Sequence, residues 1–146
     1  MFKHILIPVD GSATASMAVD KAIGLARAFK SEVTAVYVID PYPFAGVGTD
    51  AAFGQEQYLA AAQAESGVAV EAVKRAFEQA GLKASTQVIE GHAVYQNILE
   101  AADKAGADLI VMGSHGRRSS LEKLVLGSVT QRVVSHAHIP VLIVRD

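Results

Sequence analysis

His4-Ile5-Leu6-Ile7-Pro8-Val9, ended at once by Asp10-Gly11-Ser12, is the stretch that decides the fold. The run is apolar at successive positions, so neither side of it can face water. A strand of that kind belongs in the interior of a parallel sheet covered on both faces. Asp10, Ser12 and Thr14 are all helix-capping residue types. Beyond them Ala18, Ala22, Leu25 and Phe29 recur at spacings of four, three and four, and Val19, Ile23 and Ala26 widen the stripe. The spacing predicts an amphipathic helix over about residues 15 to 29.

The same alternation continues outward. Val33 to Ile39 is a second apolar run, closed by Asp40-Pro41. Residues 41–54 hold Pro41, Pro43, Gly46, Gly48 and Gly54 and keep no period, which predicts a long loop, either a lid or a disordered stretch. A helix is expected over about 55 to 80, with Val70, Val73 and Phe77 inward and Gly81 at its stop. Ala84, Thr86 and Val88 alternate as a third strand, and Gly91-His92 turns the chain. Val94, Ile98, Ala101 and Ala105 mark a third helix. Leu109 to Met112 is a fourth strand ending at Gly113, a helix starts near Ser128, and Pro140 to Val144 closes the chain as a fifth strand. The order β-α-β-α-β-α-β-α-β specifies an α/β domain with a parallel sheet and helices on both faces. A single domain over residues 1–146 is expected, since no linker or repeat divides the chain. Ligands of such sheets bind beyond the strand C-termini where the winding reverses. Attention therefore falls on Asp10, Asp40, Gly91 and Gly113 to Gly127.

Composition removes several function classes. With 51% hydrophobic and 19% charged residues and a net charge of -2, the chain is globular and lacks a basic nucleic-acid footprint. No cysteine is present, so thiolate metal sites, disulfides and a Cys nucleophile are out. No apolar run approaches the ~20 residues of a membrane span. No membrane partner is expected, and a cytoplasmic location is.

The segment from Gly113-Ser114-His115-Gly116 to Gly127-Ser128-Val129-Thr130 leaves a strand and enters a helix. Glycines let backbone amides approach an anion, and the first amides of the helix add donors. Ser128 is expected to cap that helix. The pattern fits an anion cradle and an ordinary glycine-rich turn equally well. Replacing Gly127 by Val is expected to block an anion while leaving the fold mostly intact. Asp10 suits either a helix cap or a carboxylate facing the crevice. His115 is expected on the loop surface, His136 and His138 at a solvated helix end. No catalytic residue and no protein metal ligand is assigned. The Ser120-Leu121-Glu122-Lys123 match to Ser-x-x-Lys lacks its companion motifs, and the chain contains neither a P-loop nor a nucleophile elbow.

Ile7-Pro8-Val9-Asp10-Gly11-Ser12, Val36 to Asp40, Met112-Gly113-Ser114-His115-Gly116, Gly127-Ser128-Val129-Thr130 and Ile139 to Arg145 together resemble the universal stress protein family in its ATP-binding form. The resemblance spans essentially the whole chain. It implies an open five-stranded sheet of order 3-2-1-4-5. It implies that Asp10 and the backbone of Val38 hold adenine, that Pro8 and Val9 line the base pocket, and that Met112, Gly113, Gly116, Gly127, Ser128 and Val129 surround ribose and phosphates. It implies ATP as ligand, with Mg or Mn held through the phosphates, and a homodimer formed through Val141 to Val144. The function implied is a nucleotide-dependent regulatory module acting on an unnamed protein partner. The alternatives are a slow ATP hydrolase, or a dimeric scaffold that binds AMP or another adenine compound. One departure stands out: ten residues, Arg117 to Leu126, separate Gly116 from Gly127, where the family pattern has nine.

Overall fold

The computed structural model describes residues 1–41, 49–116 and 125–146. Its elements run β1 (His4–Pro8), α1 (Ala13–Phe29), β2 (Glu32–Ile39), α2 (Thr49–Gln79), β3 (Ser85–Glu90), α3 (Val94–Ala105), β4 (Leu109–Gly113), α4 (Ser128–His136) and β5 (Val141–Val144). The sheet order is β3-β2-β1-β4-β5, and every adjacent pair is parallel.

β1 lies in the centre for the reason its sequence gives. Ile5, Leu6 and Ile7 are each 0% exposed. Ile5, Ile7 and Val9 pack with Ala18, Ala22 and Ala26 of α1 and with Val73 and Phe77 of α2. Leu6 points the other way, into Val36, Ile110, Ile98 of α3 and Val133 of α4. Two cores therefore sit back to back across one strand. The alanines on the buried face of α1 bring that helix close to the sheet. Among the described residues no helix is long and apolar enough to cross a membrane.

The structure corrects several boundaries. Ser12 is the N-cap of α1, its Oγ accepting from the Ala15 amide at 3.2 Å, so the helix starts at Ala13 rather than 15. α2 begins at Thr49, inside the expected loop of 41–54; the rest of that loop, 42–48, lies outside the described residues. Gly54 and Gly67 are carried within its 31 residues, at roughly 1 kcal/mol each relative to Ala. Packing of Val73 and Phe77 supplies what propensity lacks. β3, where alternation at Ala84, Thr86 and Val88 placed a strand, is an edge strand, and Val88 is 44% exposed.

Strand lengths make a step. Pro8 pairs with Val36, but β2 runs on to Ile39. The Val36 carbonyl accepts from Val9 N at 2.9 Å, and the Ile39 carbonyl accepts from Gly91 N at 2.9 Å on the opposite side. Alternate residues of a strand address the same neighbour. The Val38 carbonyl therefore turns toward β1 at a level where β1 has ended.

The start of β1 is pinned by Asp108, whose carboxylate accepts from Lys3 N at 2.9 Å and His4 N at 3.0 Å. These two amides, Lys3 first, hold the carboxyl below its usual range against the opposing effect of desolvation. Because folding favours the charged form, its stabilisation is complete above the ordinary Asp pKa of about 3.9 and is lost as pH falls through the lower folded value. Asp108→Asn should cost on the order of 1 kcal/mol or less at pH 6, since the group is solvent-screened. Urea melts should show that difference shrinking as the pH falls through the lowered folded value; a difference independent of pH would contradict the assignment.

Candidate functional site

A cleft of about 710 Å³ opens at the C-terminal end of the sheet. Its floor is Pro8, Val9, Val36, Val38 and Met112; its far wall is Gly113, His115, Gly116 and the first turn of α4. Tyr58, Ala61, Ala62 and Glu65 of α2 roof the other end, beside Asp40. All ten residues singled out from sequence line this one space: Pro8, Val9, Asp10, Val38, Met112, Gly113, Gly116, Gly127, Ser128 and Val129.

The loop after β4 is shaped by what takes its carbonyls. Gly113 O accepts from Thr130 Oγ1 at 3.0 Å, Ser114 O from Gly127 N at 2.8 Å, and His115 O from Thr14 Oγ1. Ser114 N is fixed in turn on Val144 O at 2.9 Å. Three consecutive carbonyls are thus held by α4, by its cap and by α1. Among the described residues no backbone carbonyl takes the amides of His115 or Gly116. The first bond within α4 runs from Gln131 N to Gly127 O at 2.9 Å, so the amides of Ser128, Val129 and Thr130 have no intrahelical acceptor. Gly127 is the cap residue, and Ser128 is the first residue of the helix rather than its cap.

The glycines here serve close approach, not unusual backbone angles. A Cβ on Gly113 would lie 2.9 Å from Thr14 Cβ and 3.0 Å from its carbonyl carbon. One on Gly127 would lie 3.1 Å from His115 Cα. The expectation that Val at position 127 spares the fold is therefore corrected: that side chain would push against backbone. A Cβ on Gly116 would collide with Asp10 Oδ2.

Asp10 does two things at once. Its Oδ1 accepts from Ser12 N at 3.0 Å, and its Oδ2 rests against the Gly116 backbone. The carboxylate expected only at the base end thus also touches the loop after β4. His115 is corrected as well. Its side chain is only 16% exposed, because the end of β5 brings Asp146 Oδ1 within 3.3 Å of Nε2. His136 is exposed in the last turn of α4, as expected, with Nδ1 2.9 Å from Arg132 O. His92 pairs with Asp40 at 3.4 Å at the turn into α3. Arg117, Arg118 and the segment Ser120 to Lys123 lie outside the described residues.

Sequence reasoning missed Tyr58 and Glu65, and it named Thr130 for its amide but not for the hydroxyl that holds Gly113 O. Helical period shows which face of α2 is polar but not what that face hangs over. Thr130 had a weak signal: it stands one turn into the helix that follows Gly127.

The family model described as "Universal stress protein family" matches residues 1–145. A universal stress protein of Methanocaldococcus jannaschii, MJ0531, is 40% identical over 146 residues, covering 99% of this chain and 83% of its own length. The solved structure of MJ0577 from the same organism superposes with a TM-score of 0.86 at 30% identity, covering 100% of this chain and 97% of that one. A universal stress protein in complex with cAMP shares the fold, with a TM-score of 0.63 at 24% identity over 99% and 97% of the two chains. Full-length agreement in sequence and in strand order leads to one conclusion: the chain belongs to the universal stress protein family.

Proposed function

We propose that the cleft binds an adenine nucleotide, ATP foremost, and that its occupancy regulates contacts of this protein with its partners. The observation that carries the reading is the opposite polarity of the two ends of one cleft. At one end stands an acceptor, the Val38 carbonyl beyond the end of β1, with the Asp10 carboxylate between it and the Gly116 backbone. At the other stand backbone donors, the amides of Gly116 and of the first turn of α4. An exocyclic amine suits the first end and phosphate oxygens suit the second. Pro8, Val9 and Met112 give the apolar surface a flat base needs. The cAMP seen in a protein of the same fold is of this ligand class.

On this reading Asp10 and Val38 take the adenine edge. Met112, Gly113, Gly116, Gly127, Ser128 and Val129 surround ribose and phosphates. Phosphate oxygens would hold Mg or Mn when the metal is bound, supplying charge neutralisation. β5 forms an open sheet edge on which Leu142 is 40% exposed. A second copy meeting Val141 to Val144 would cover that edge. This gives the nucleotide-dependent module a partner surface joined to the cleft through Ser114 N and Val144 O.

Protein purified without added nucleotide, denatured and analysed by mass spectrometry should release near-stoichiometric ATP. ADP or AMP in its place would favour the slow hydrolase, and neither release nor binding in an ATP titration would overturn the reading. Asp10→Ala should weaken ATP and AMP alike by about fivefold, the value of one hydrogen bond near 1 kcal/mol, with a thermal melt as the control for folding. Leu142→Glu should shift the sedimentation mass from dimer to monomer; an unchanged mass would remove β5 as the interface.

A further inference from the structure

We propose that Thr14 of α1 is a positioning residue of this cleft: its buried hydroxyl sets the direction of the Gly116 amide, and with it the preference for a ligand that carries an anionic group. That the ligand is a nucleotide rests on the reading above; the aiming of the amide rests on Thr14 itself. A peptide unit is planar and trans, so its N–H points opposite to its C=O. Whatever takes the carbonyl of one residue therefore aims the amide of the next. The Gly113–Ser114 unit is held at both ends, its carbonyl by Thr130 Oγ1 at 3.0 Å and its amide by Val144 O at 2.9 Å. The His115–Gly116 unit is held at one end. Thr14 Oγ1 takes its carbonyl, and among the described residues no backbone carbonyl takes its amide. Thr14 is 1% exposed and does not line the cleft, whereas Gly116 does. The amide turned away from Thr14 is thus turned to the cleft side, where Gly116 N lies beside Gly127 at the start of α4.

The direction of the hydroxyl is forced. A carbonyl only accepts, so the Thr14 hydrogen goes to His115 O. Ser12 Oγ lies 3.3 Å from Thr14 Oγ1 and accepts from Ala15 N at 3.2 Å, which leaves its own hydrogen for Thr14. The cap of α1, Thr14 and the loop after β4 form one chain of hydrogen bonds, each donor polarised by the one before it. α1 also presses on the root of the loop, since a Cβ on Gly113 would lie 2.9 Å from Thr14 Cβ. Hydroxyl and bulk can be separated at this position. Serine keeps the donor and loses the buried methyl; valine keeps the shape and loses the donor.

Calorimetry on the full chain with ATP and with adenosine, beside a thermal melt of each variant, reads the result. In Thr14→Val the His115 carbonyl loses its donor, and ATP should bind about tenfold more weakly while adenosine changes by less than about twofold. Thr14→Ser should keep the native ratio of ATP to adenosine affinity even though loss of the methyl lowers its melting temperature. A role in stability alone would make affinity follow the melting temperature. Crystal structures of the two variants give a second readout that needs no ligand: the His115–Gly116 peptide should turn in Thr14→Val and stay in Thr14→Ser. A Thr14→Val chain that keeps the native affinity ratio, or the native peptide plane, would overturn the proposal and leave the nucleotide reading intact. So would a Thr14→Ser chain that loses the native ratio, which decides the matter even where Thr14→Val does not fold. If the native chain binds neither ligand while the peptide turns in Thr14→Val, the nucleotide reading falls and the aiming of the amide stands.

Discussion

Ile5, Leu6 and Ile7 alternate across the sheet, and all three are removed from water, so β1 is stable only with helices on both of its faces. That requirement sets the rest. α1 and α2 fill one side and α3 and α4 the other. The chain must therefore leave β1 in one direction to build β2 and β3, and return to its other edge to build β4 and β5. The reversal opens a gap between the loops after β1 and β4, and no strand can fill it. The early end of β1 relative to β2 deepens the gap into a cleft floored by backbone as much as by side chains.

What the sequence made legible follows from local physics. Apolar runs with no polar side identified β1, β2 and β4, and the spacing of Ala18, Ala22 and Ala26 identified the buried face of α1. Gly81 marked the end of α2 because the chain there needs φ of +77°, which glycine adopts freely. The sheet order came from the family resemblance, because an alternating pattern fits more than one winding. The start of α2 was hidden by Gly54, whose cost is met by packing further along the helix. Alternation marked Val88 as part of a strand without saying which face a helix covers at a sheet edge.

The candidate site was legible where glycines and strand ends mark it and illegible where distant segments meet. Asp10, Gly113 and Gly127 stand at the ends of apolar runs or the start of a helix. The burial of His115 depends on Asp146, 31 residues away, and no local pattern carries that. Asp10 against Gly116 is likewise a contact between two loops that only the assembled sheet makes neighbours. The glycines also carry a second meaning that a motif conceals. Gly113 and Gly127 are small because Thr14 and His115 are close, whether or not an anion is bound.

The bonds that shape the loop after β4 join residues far apart in the chain. Thr14 and His115 are separated by 101 positions, and Thr130 and Gly113 by 17. Contacts of that span close late, because the intervening chain must first give up its freedom. The cleft therefore has no local nucleus from which it could form early. It exists only where the strands and helices that carry these residues have already assembled. A ligand held there would distinguish the finished molecule from every partly built one, so its binding would report the integrity of the whole sheet.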